Sequence, residues 1–145
     1  MKFLLAIAIG LTIGVLLTSA VEIHSVSYID HDQVGLKLSK GGTMVSTPTY
    51  IVLGSHRDKQ GQVEVHDKET DVFYVTDGQA TFLTGGTMIG GKQTSPNQSL
   101  GTDMQGGESH SLSKGDVIVI PAGTPHWFKN VPDHINYFVV KVIQP

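Results

Sequence analysis

From residue 50 onward, short apolar stretches of the chain alternate with turn-forming residues. Within 62–66, Val63 and Val65 alternate with polar neighbours, and 117–120 is a continuous β-branched run, VIVI. Alternation with a period of two is typical of a strand with one buried face, and a short β-branched run is typical of a buried strand. The pattern predicts strands over 50–53, 62–66, 71–75, 79–83, 109–112, 117–120, 126–128 and 135–143. Many short strands joined by glycine-rich turns indicate an all-β sandwich or barrel.

Two turn signals divide these strands. Asp77-Gly78 lies between 71–75 and 79–83, and this pair favours a tight turn. The run 117–120 is followed by Pro121-Ala122-Gly123, which ends it because proline cannot donate to a sheet. The segment 115–130 therefore predicts a hairpin whose return strand begins at His126.

Before the strands, residues 30–40 (DHDQVGLKLSK) have the pattern of one short helix. Asp30 suits the N-cap, Lys37 and Lys40 suit the last turn, and Gly41 suits the position after it. Val34 and Leu38 lie four apart and share a face. We predict a helix that packs on the outside of the barrel or at its mouth, although Gly35 weakens it.

The first twenty residues have the pattern of a signal peptide. Lys2 supplies a positive charge, 3–17 carry no charge, and 18–20 (TSA) are small. This pattern predicts cleavage after Ala20 and a secreted or periplasmic single domain over 21–145. The alternative is an uncleaved membrane anchor, but 3–17 is shorter than the roughly 20 residues that span a bilayer.

Charge and cysteine content exclude several partners. The chain has 10 Lys and Arg against 13 Asp and Glu, and it has no Cys. A mildly acidic chain without a basic cluster has no footprint for nucleic acid, and a chain without Cys forms no disulfide. Loss of Lys2 with the signal leaves 9 basic residues against 13 acidic ones, a formal charge of −4. After cleavage we expect neither nucleic acid nor a membrane as a partner.

The segment 115–130, GDVIVIPAGTPHWFKN, carries a spaced motif. Gly115, Pro121, Gly123, His126 and Asn130 follow one another at spacings of six, two, three and four. This pattern resembles the second conserved motif of the cupin superfamily, and every fixed position is met. The resemblance implies a double-stranded β-helix, the jelly-roll barrel, which here carries one short N-terminal helix. It also implies that His126 is a metal ligand; the alternative is an imidazole that only caps or packs the strand.

An altered form of the family's first motif lies in 64–78, EVHDKETDVFYVTDG. That motif usually supplies two His separated by one residue, then a Glu, then a Gly. His66 and Gly78 match it, whereas Glu64 replaces the first His and Asp71 replaces the Glu. The resemblance covers about 50–143. It implies two nitrogen and two oxygen ligands in place of the usual three and one.

Strand geometry gives a second reason to group these residues. Glu64 and His66 are two apart on one strand, so both side chains lie on the same face. Ionisable groups inside an apolar barrel are costly unless they are paired or bind a metal. We expect a divalent metal (Mn, Fe, Zn or Ni) held by His66 and His126 first, then Glu64, then Asp71. The alternatives are a Glu64–His126 or Asp71–His66 hydrogen bond without metal, or water in place of the short Asp71.

The rest of the cavity wall follows from the same alternation. An inward Asp71 places Phe73 and Val75 inward as well, and Phe128 follows His126 by two. We add His110, beside the short strand 109–112, as a fourth cavity-lining residue. The Gly-, Ser- and Thr-rich segment 85–107 is either a surface loop without function or a rim over the mouth, with a short strand at 87–89.

Three classes of function follow from this pattern. The resemblance implies a metal-dependent enzyme that acts on a small molecule by oxygenase, isomerase, epimerase or lyase chemistry. A binding module that captures a small ligand or a metal without turnover is the second class. A structural role is the third, because family members commonly dimerise through their sheets, which also implies a homodimer. Fold alone does not decide among them.

Overall fold

The computed structural model describes residues 25–145, so the predicted signal peptide lies outside the described residues. Helix α1 spans His31–Lys40. The Asp30 carboxylate accepts a hydrogen bond from the backbone N–H of Gln33 at 2.9 Å, and Gly41 has φ 75°, as the caps predicted. A Cβ on Gly54 would lie 2.6 Å from the backbone of Lys37, so the helix packs on the outer face of a strand. No helix among residues 25–145 is long and apolar enough to cross a membrane.

Twelve strands follow the helix in the described residues. Their bounds are β1 Gly42–Ser46, β2 Tyr50–Arg57, β3 Val63–His66, β4 Glu69–Thr84, β5 Thr87–Ile89, β6 Lys92–Ser95, β7 Gln98–Gly101, β8 Asp103–Gln105, β9 Glu108–Ser113, β10 Val117–Ile120, β11 His126–Asn130 and β12 Ile135–Ile143. Ten of them form one curled antiparallel sheet, and β5 pairs only with β8. The predicted all-β barrel with one short helix is confirmed.

The long strand β4 belongs to both walls of the barrel. Its first half pairs with β12 and β10, and β12 continues to β2 and β1; we call this wall the first sheet. Its second half pairs with β9 and β11, and β11 continues through β3 and β7 to β6; we call this wall the second sheet. The inward faces of the two sheets enclose the core and the cavity.

The predicted tight turn at Asp77-Gly78 is wrong, because β4 runs through it without a break. Gly78 has φ 78°, and a Cβ there would overlap the carbonyl oxygen of His134. Glycine is therefore required at this bend, where the strand passes from the first sheet to the second. The Asp-Gly pair does mark a change of chain direction, but pairing with β12 across the bend keeps the chain extended.

The predicted hairpin over 115–130 is also wrong. Strand β10 pairs with the first half of β4, and β11 pairs with its second half and with β3. The intervening residues cross from one sheet to the other, and Gly123 donates from its backbone N–H to the carbonyl of His66 at 2.8 Å. The strands themselves begin where predicted, at Val117 and His126. The motif therefore joins the two sheets and fixes His126 next to β3.

The glycine-rich segment 85–107 is ordered rather than a featureless loop. It contains β5 to β8, and the predicted strand 87–89 is present. Met104, with Met88 beside it, packs on Val63, Leu83 and Trp127, which form the outer face of the second sheet. Trp127 thus packs in this cluster, as expected, and its indole N–H donates to the carbonyl of Gly61 at 2.8 Å.

The barrel interior is closed by aromatic packing. Phe73 stacks on Phe128 with ring centroids 6.1 Å apart, and Phe82 lies 4.6 Å from Phe128. The predicted inward positions of β4 are buried, whereas Tyr74 between them is 47% exposed. This aromatic layer separates a solid apolar end of the barrel from an open end that holds a cavity.

Candidate metal centre

A cavity of about 370 Å³ occupies the open end of the barrel. Phe73 and Phe128 line it, as predicted, but Val75 and His110 do not. Val75 lies one inward step beyond Phe73 and belongs to the apolar core. The ring of His110 is held by the Thr84 hydroxyl at 2.8 Å. Alternation gives the face of a strand but not the depth at which the cavity ends, so Val75 lies one layer below the predicted wall.

The structure brings the four predicted ligand residues together at this open end. Glu64 and His66 share one face of β3, and His126 of β11 pairs directly with Glu64. His66 Nε2 lies 3.5 Å from Glu64 Oε2 and 3.6 Å from Asp71 Oδ2. His126 Nε2 lies 3.9 Å from the same Asp71 oxygen. A metal on these groups remains a prediction, but its four candidate ligands face one space.

The ring of His126 is oriented by the backbone carbonyl of Thr124. Its Nδ1 lies 3.0 Å from the carbonyl oxygen of Thr124. A carbonyl only accepts, so we assign the ring hydrogen to Nδ1 and the lone pair to Nε2, which faces the cavity. Burial lowers the pKa of His126, against a smaller opposing effect of this hydrogen bond. The ring is therefore a neutral imidazole held in the orientation that a metal requires.

Glu64 presents one oxygen to the cavity and has the other engaged. Its Oε1 accepts from Nη2 of Arg57 at 3.0 Å, and Oε2 faces His66. Burial opposes ionisation of Glu64, but His66 and the charge of Arg57 outweigh it and lower the pKa of Glu64 to about 2. Glu64 is therefore a carboxylate at neutral pH, with Oε2 free of Arg57.

Asp71 is engaged on both oxygens. Nζ of Lys141 lies 2.9 Å from Oδ1 and 3.1 Å from Oδ2, and it also lies 2.8 Å from Oε2 of Glu69. Burial alone would lower the pKa of Lys141, but the charges of Asp71 and Glu69 outweigh it and raise that pKa. The cavity therefore contains an ammonium group bound to two carboxylates.

Arg57, Glu69 and Lys141 are cavity residues that the sequence analysis missed. Lys141 follows Ile135 and Tyr137 on the inward side of β12 at steps of two, which is the signal that could have found it. Arg57 extends the inward series of β2 in the same way, and its Nε donates to the hydroxyl of Tyr137 at 3.1 Å. Arg57 lies beyond the predicted strand 50–53, whereas Lys141 lies inside the predicted strand 135–143 as a single charge among apolar residues.

Two overlapping sets of donors fall within metal-binding distance in the described residues. One is Glu64, His66 and His126, and the other is His66, Glu69 and Asp71; in each set the ligand atoms lie within 4.8 Å of one another. The first set fits a divalent ion because it offers two imidazoles and a free carboxylate oxygen. In the second set the carboxylates are already bonded to Lys141. The two hydrogen-bonded pairs expected without metal were Asp71–His66 and Glu64–His126. His66 Nε2 and Asp71 Oδ2 stand 3.6 Å apart, beyond hydrogen-bond distance, and Glu64 makes no ion pair with His126 among the described residues.

Solved structures share this fold at low sequence identity. The protein TT1209 from Thermus thermophilus matches with a TM-score of 0.53 and 16% identity over 83% of this chain and 100% of its own. A conserved protein with a double-stranded β-helix domain from Klebsiella pneumoniae matches with a TM-score of 0.51 and 16% identity, over 76% of this chain and 86% of its own. KdgF from Halomonas sp. matches with a TM-score of 0.50 and 16% identity, over 72% of this chain and 79% of its own.

Other matches show the limits of the likeness. The chain spans 65% of the length of each of two further structures, one from Streptomyces and one from Clostridium difficile. No curated protein matches the sequence. The model of the cupin family matches residues 55–145, which is more than half of the chain and contains both motifs. With the double-stranded β-helix and the paired motifs in place, the chain belongs to the cupin family.

Proposed function

We propose that the protein is an exported cupin that binds a divalent metal on Glu64, His66 and His126 and uses it to act on a small molecule. The observation that carries the proposal is the convergence of three candidate ligand atoms, within 4.8 Å of one another, on one cavity. Two imidazoles and one carboxylate are a common ligand set for iron and also suit manganese, nickel and zinc. When bound, such an ion supplies a Lewis acid with open coordination positions.

The cavity supports a small molecule as the second ligand. Its volume of about 370 Å³ lies in the range of roughly 300–1,000 Å³ that is usual for ligand pockets. Phe73, Phe128 and Tyr137 form an apolar floor. Ser95, Pro96 and Gln98, from the turn between β6 and β7, line the same cavity. The position of these residues supports the rim, one of the two alternatives for the segment 85–107.

The residues around the donors have separate tasks in this proposal. The Thr124 carbonyl fixes the tautomer of His126, and Arg57 turns one oxygen of Glu64 away from the donors so that the other faces them. The aromatic floor excludes water from below. These contacts preorganise a site whose ligands lie on strands rather than on loops, which favours a fixed geometry.

A second candidate is a cupin that binds a small ligand without metal or turnover. It is favoured by Arg57 and Lys141, which already neutralise carboxylates of the cavity. Acidic groups that are satisfied by internal cations need no metal for stability. The two candidates differ in one measurable property, the metal content of the pure protein.

Metal analysis of the purified protein tests the proposal. We expect close to one Mn, Fe, Ni or Zn ion per chain, directly or after incubation with these salts, and loss of that ion in His66→Ala and His126→Ala. His56→Ala is the matched control, because His56 is an exposed imidazole that lies 2.7 Å from Asn136 outside the cavity. A wild-type protein that takes up none of the four metals would favour the second candidate.

Export rests on the sequence pattern of 1–20 and is tested separately. We expect the N-terminus of protein recovered from the host's envelope or medium to be Val21. An intact N-terminus at Met1 in membrane-bound protein would support the anchor instead.

A further inference from the structure

Lys141 lies between the two acidic residues of β4 at the open end of the barrel. It stands directly opposite Asp71 in the pairing of β12 with β4. Its Nζ lies within 3.1 Å of both oxygens of Asp71 and of Oε2 of Glu69. The side chain of Asp71 is 3% exposed and that of Lys141 is 16% exposed. An ammonium has three N–H groups, so these three oxygens use its whole donor capacity.

Asp71 is nevertheless close to the imidazoles. Its Oδ2 lies 3.6 Å from Nε2 of His66 and 3.9 Å from Nε2 of His126. An ion held between those nitrogens would be within reach of this oxygen. An ammonium and a divalent cation on one buried carboxylate would repel each other strongly, because a poorly solvated site screens charges weakly.

Glu64 differs from Asp71 in this respect. Its cation, Arg57, contacts Oε1 and leaves Oε2 facing His66, so Glu64 can serve Arg57 and a metal at once. Lys141 leaves Asp71 no such oxygen. The same cavity thus holds one carboxylate with an oxygen that contacts no cation and one carboxylate whose two oxygens both contact Lys141.

We propose that Lys141 is an internal cation that withholds Asp71 from the metal, so that the centre has three protein ligands rather than four. For the wild-type protein this inference rests on the proposed function, in which Glu64, His66 and His126 bind the metal. Lys141 is a positioning residue here, since it acts through Asp71 and leaves a coordination position open for a small molecule. It also fills the second donor set of His66, Glu69 and Asp71, which would otherwise compete for His66.

The double variant Asp71→Asn/Lys141→Met is the main test, because it removes one charge of each sign and keeps the cavity balanced. Mn²⁺ and Zn²⁺ are titrated into chelator-treated protein and the heat is measured. If Asp71 is withheld, the affinity stays within about threefold of wild type, a change of under 1 kcal/mol. If Asp71 is a ligand in the wild type, the double variant loses at least about 10–100-fold, which would overturn the proposal.

Lys141→Met alone tests the other direction. Freed from its cation, Asp71 can join His66 and His126, so we expect Mn²⁺ and Zn²⁺ to bind at least about tenfold more tightly. Lys141→Arg should keep the wild-type affinity, and Lys68→Met, which removes an exposed charge near the same strand end, controls for net charge alone. Unchanged or weaker binding by Lys141→Met would refute the inference.

The outcomes separate this inference from the proposed function. Metal binding by Lys141→Met but not by wild type would support the role of Lys141 and refute a metal in the native protein. Equal binding by both would refute the role of Lys141 and leave the metal centre standing. No binding by either protein would overturn both. Thermal unfolding of metal-free Lys141→Met checks that it folds, and the double variant decides if it does not.

Discussion

The two ends of the barrel interior are built from the same strands but impose different demands on their side chains. At the closed end β4 contributes Val75 and β12 contributes Ile135, which are 1% and 0% exposed. At the open end the same strands contribute Asp71 and Lys141, which bond to each other. The closed end is stabilised by apolar burial, and the open end depends on the pairing of charges. A single inward series can therefore pass from the core to the candidate site within a few residues.

The largest expected effect is at the closed end. Phe82 is fully buried and contacts the rings of Phe73 and Phe128. Phe82→Ala should lower the free energy of unfolding by about 3–5 kcal/mol, because it removes apolar contact and leaves a cavity. Urea unfolding measures this loss, with Tyr74→Ala, at a position that is 47% exposed on the same strand, as the control that should change stability much less. If both substitutions had the same small effect, the closed end would not be the stabilising core.

An intermediate effect is expected at the open end. In the presence of a chelator, Lys141→Met leaves Asp71 buried without its cation and should cost about 2–3 kcal/mol, somewhat below the value for a fully buried pair because Lys141 is partly exposed. The double variant with Asp71→Asn should recover most of that loss. Equal stability of Lys141→Met and wild type in urea unfolding would show that the pair is solvated and that the two ends do not differ as argued.

The smallest effect is expected outside the barrel, next to the bend at Gly78. His134 lies 3.0 Å from Asp77 and 2.9 Å from Asp133, and these hydrogen bonds raise the pKa of His134 above its usual 6.5. A raised pKa means that this contribution is fully present below about pH 6.5 and is lost as the pH rises through the folded-state value. Because the pair is exposed, the change should be slight.

The measurement is the urea midpoint of wild type and His134→Gln across this pH range. The urea midpoint of the wild type should exceed that of His134→Gln slightly at low pH, and this difference should disappear as the pH rises. The midpoint of the variant should show no such step. An advantage that grows with pH would contradict the assigned sign.

Much of the fold was predictable because its signals are local. The caps of α1 and the starts of β10, β11 and β12 depend on neighbouring residues, and all were placed as the structure has them. The bend at Gly78 and the crossing after β10 were not, because Asp-Gly and Pro-Ala-Gly have the same local signature in a hairpin and in a chain that changes sheets. What decides between them is the partner strand, which comes from elsewhere in the sequence.

By itself the sequence determined the family and the inward faces of 64–66, 71–75 and 126–128, and it predicted four acidic and imidazole groups for the candidate site. Only the tertiary structure decided which cations meet those groups. Lys141 and Asp71 are 70 residues apart, and their contact depends on the register of β12 against β4. Alternation along a strand fixes the side on which a residue lies, but register between distant strands fixes its neighbours. That is the physical reason why Glu64 retains a free oxygen and Asp71 does not.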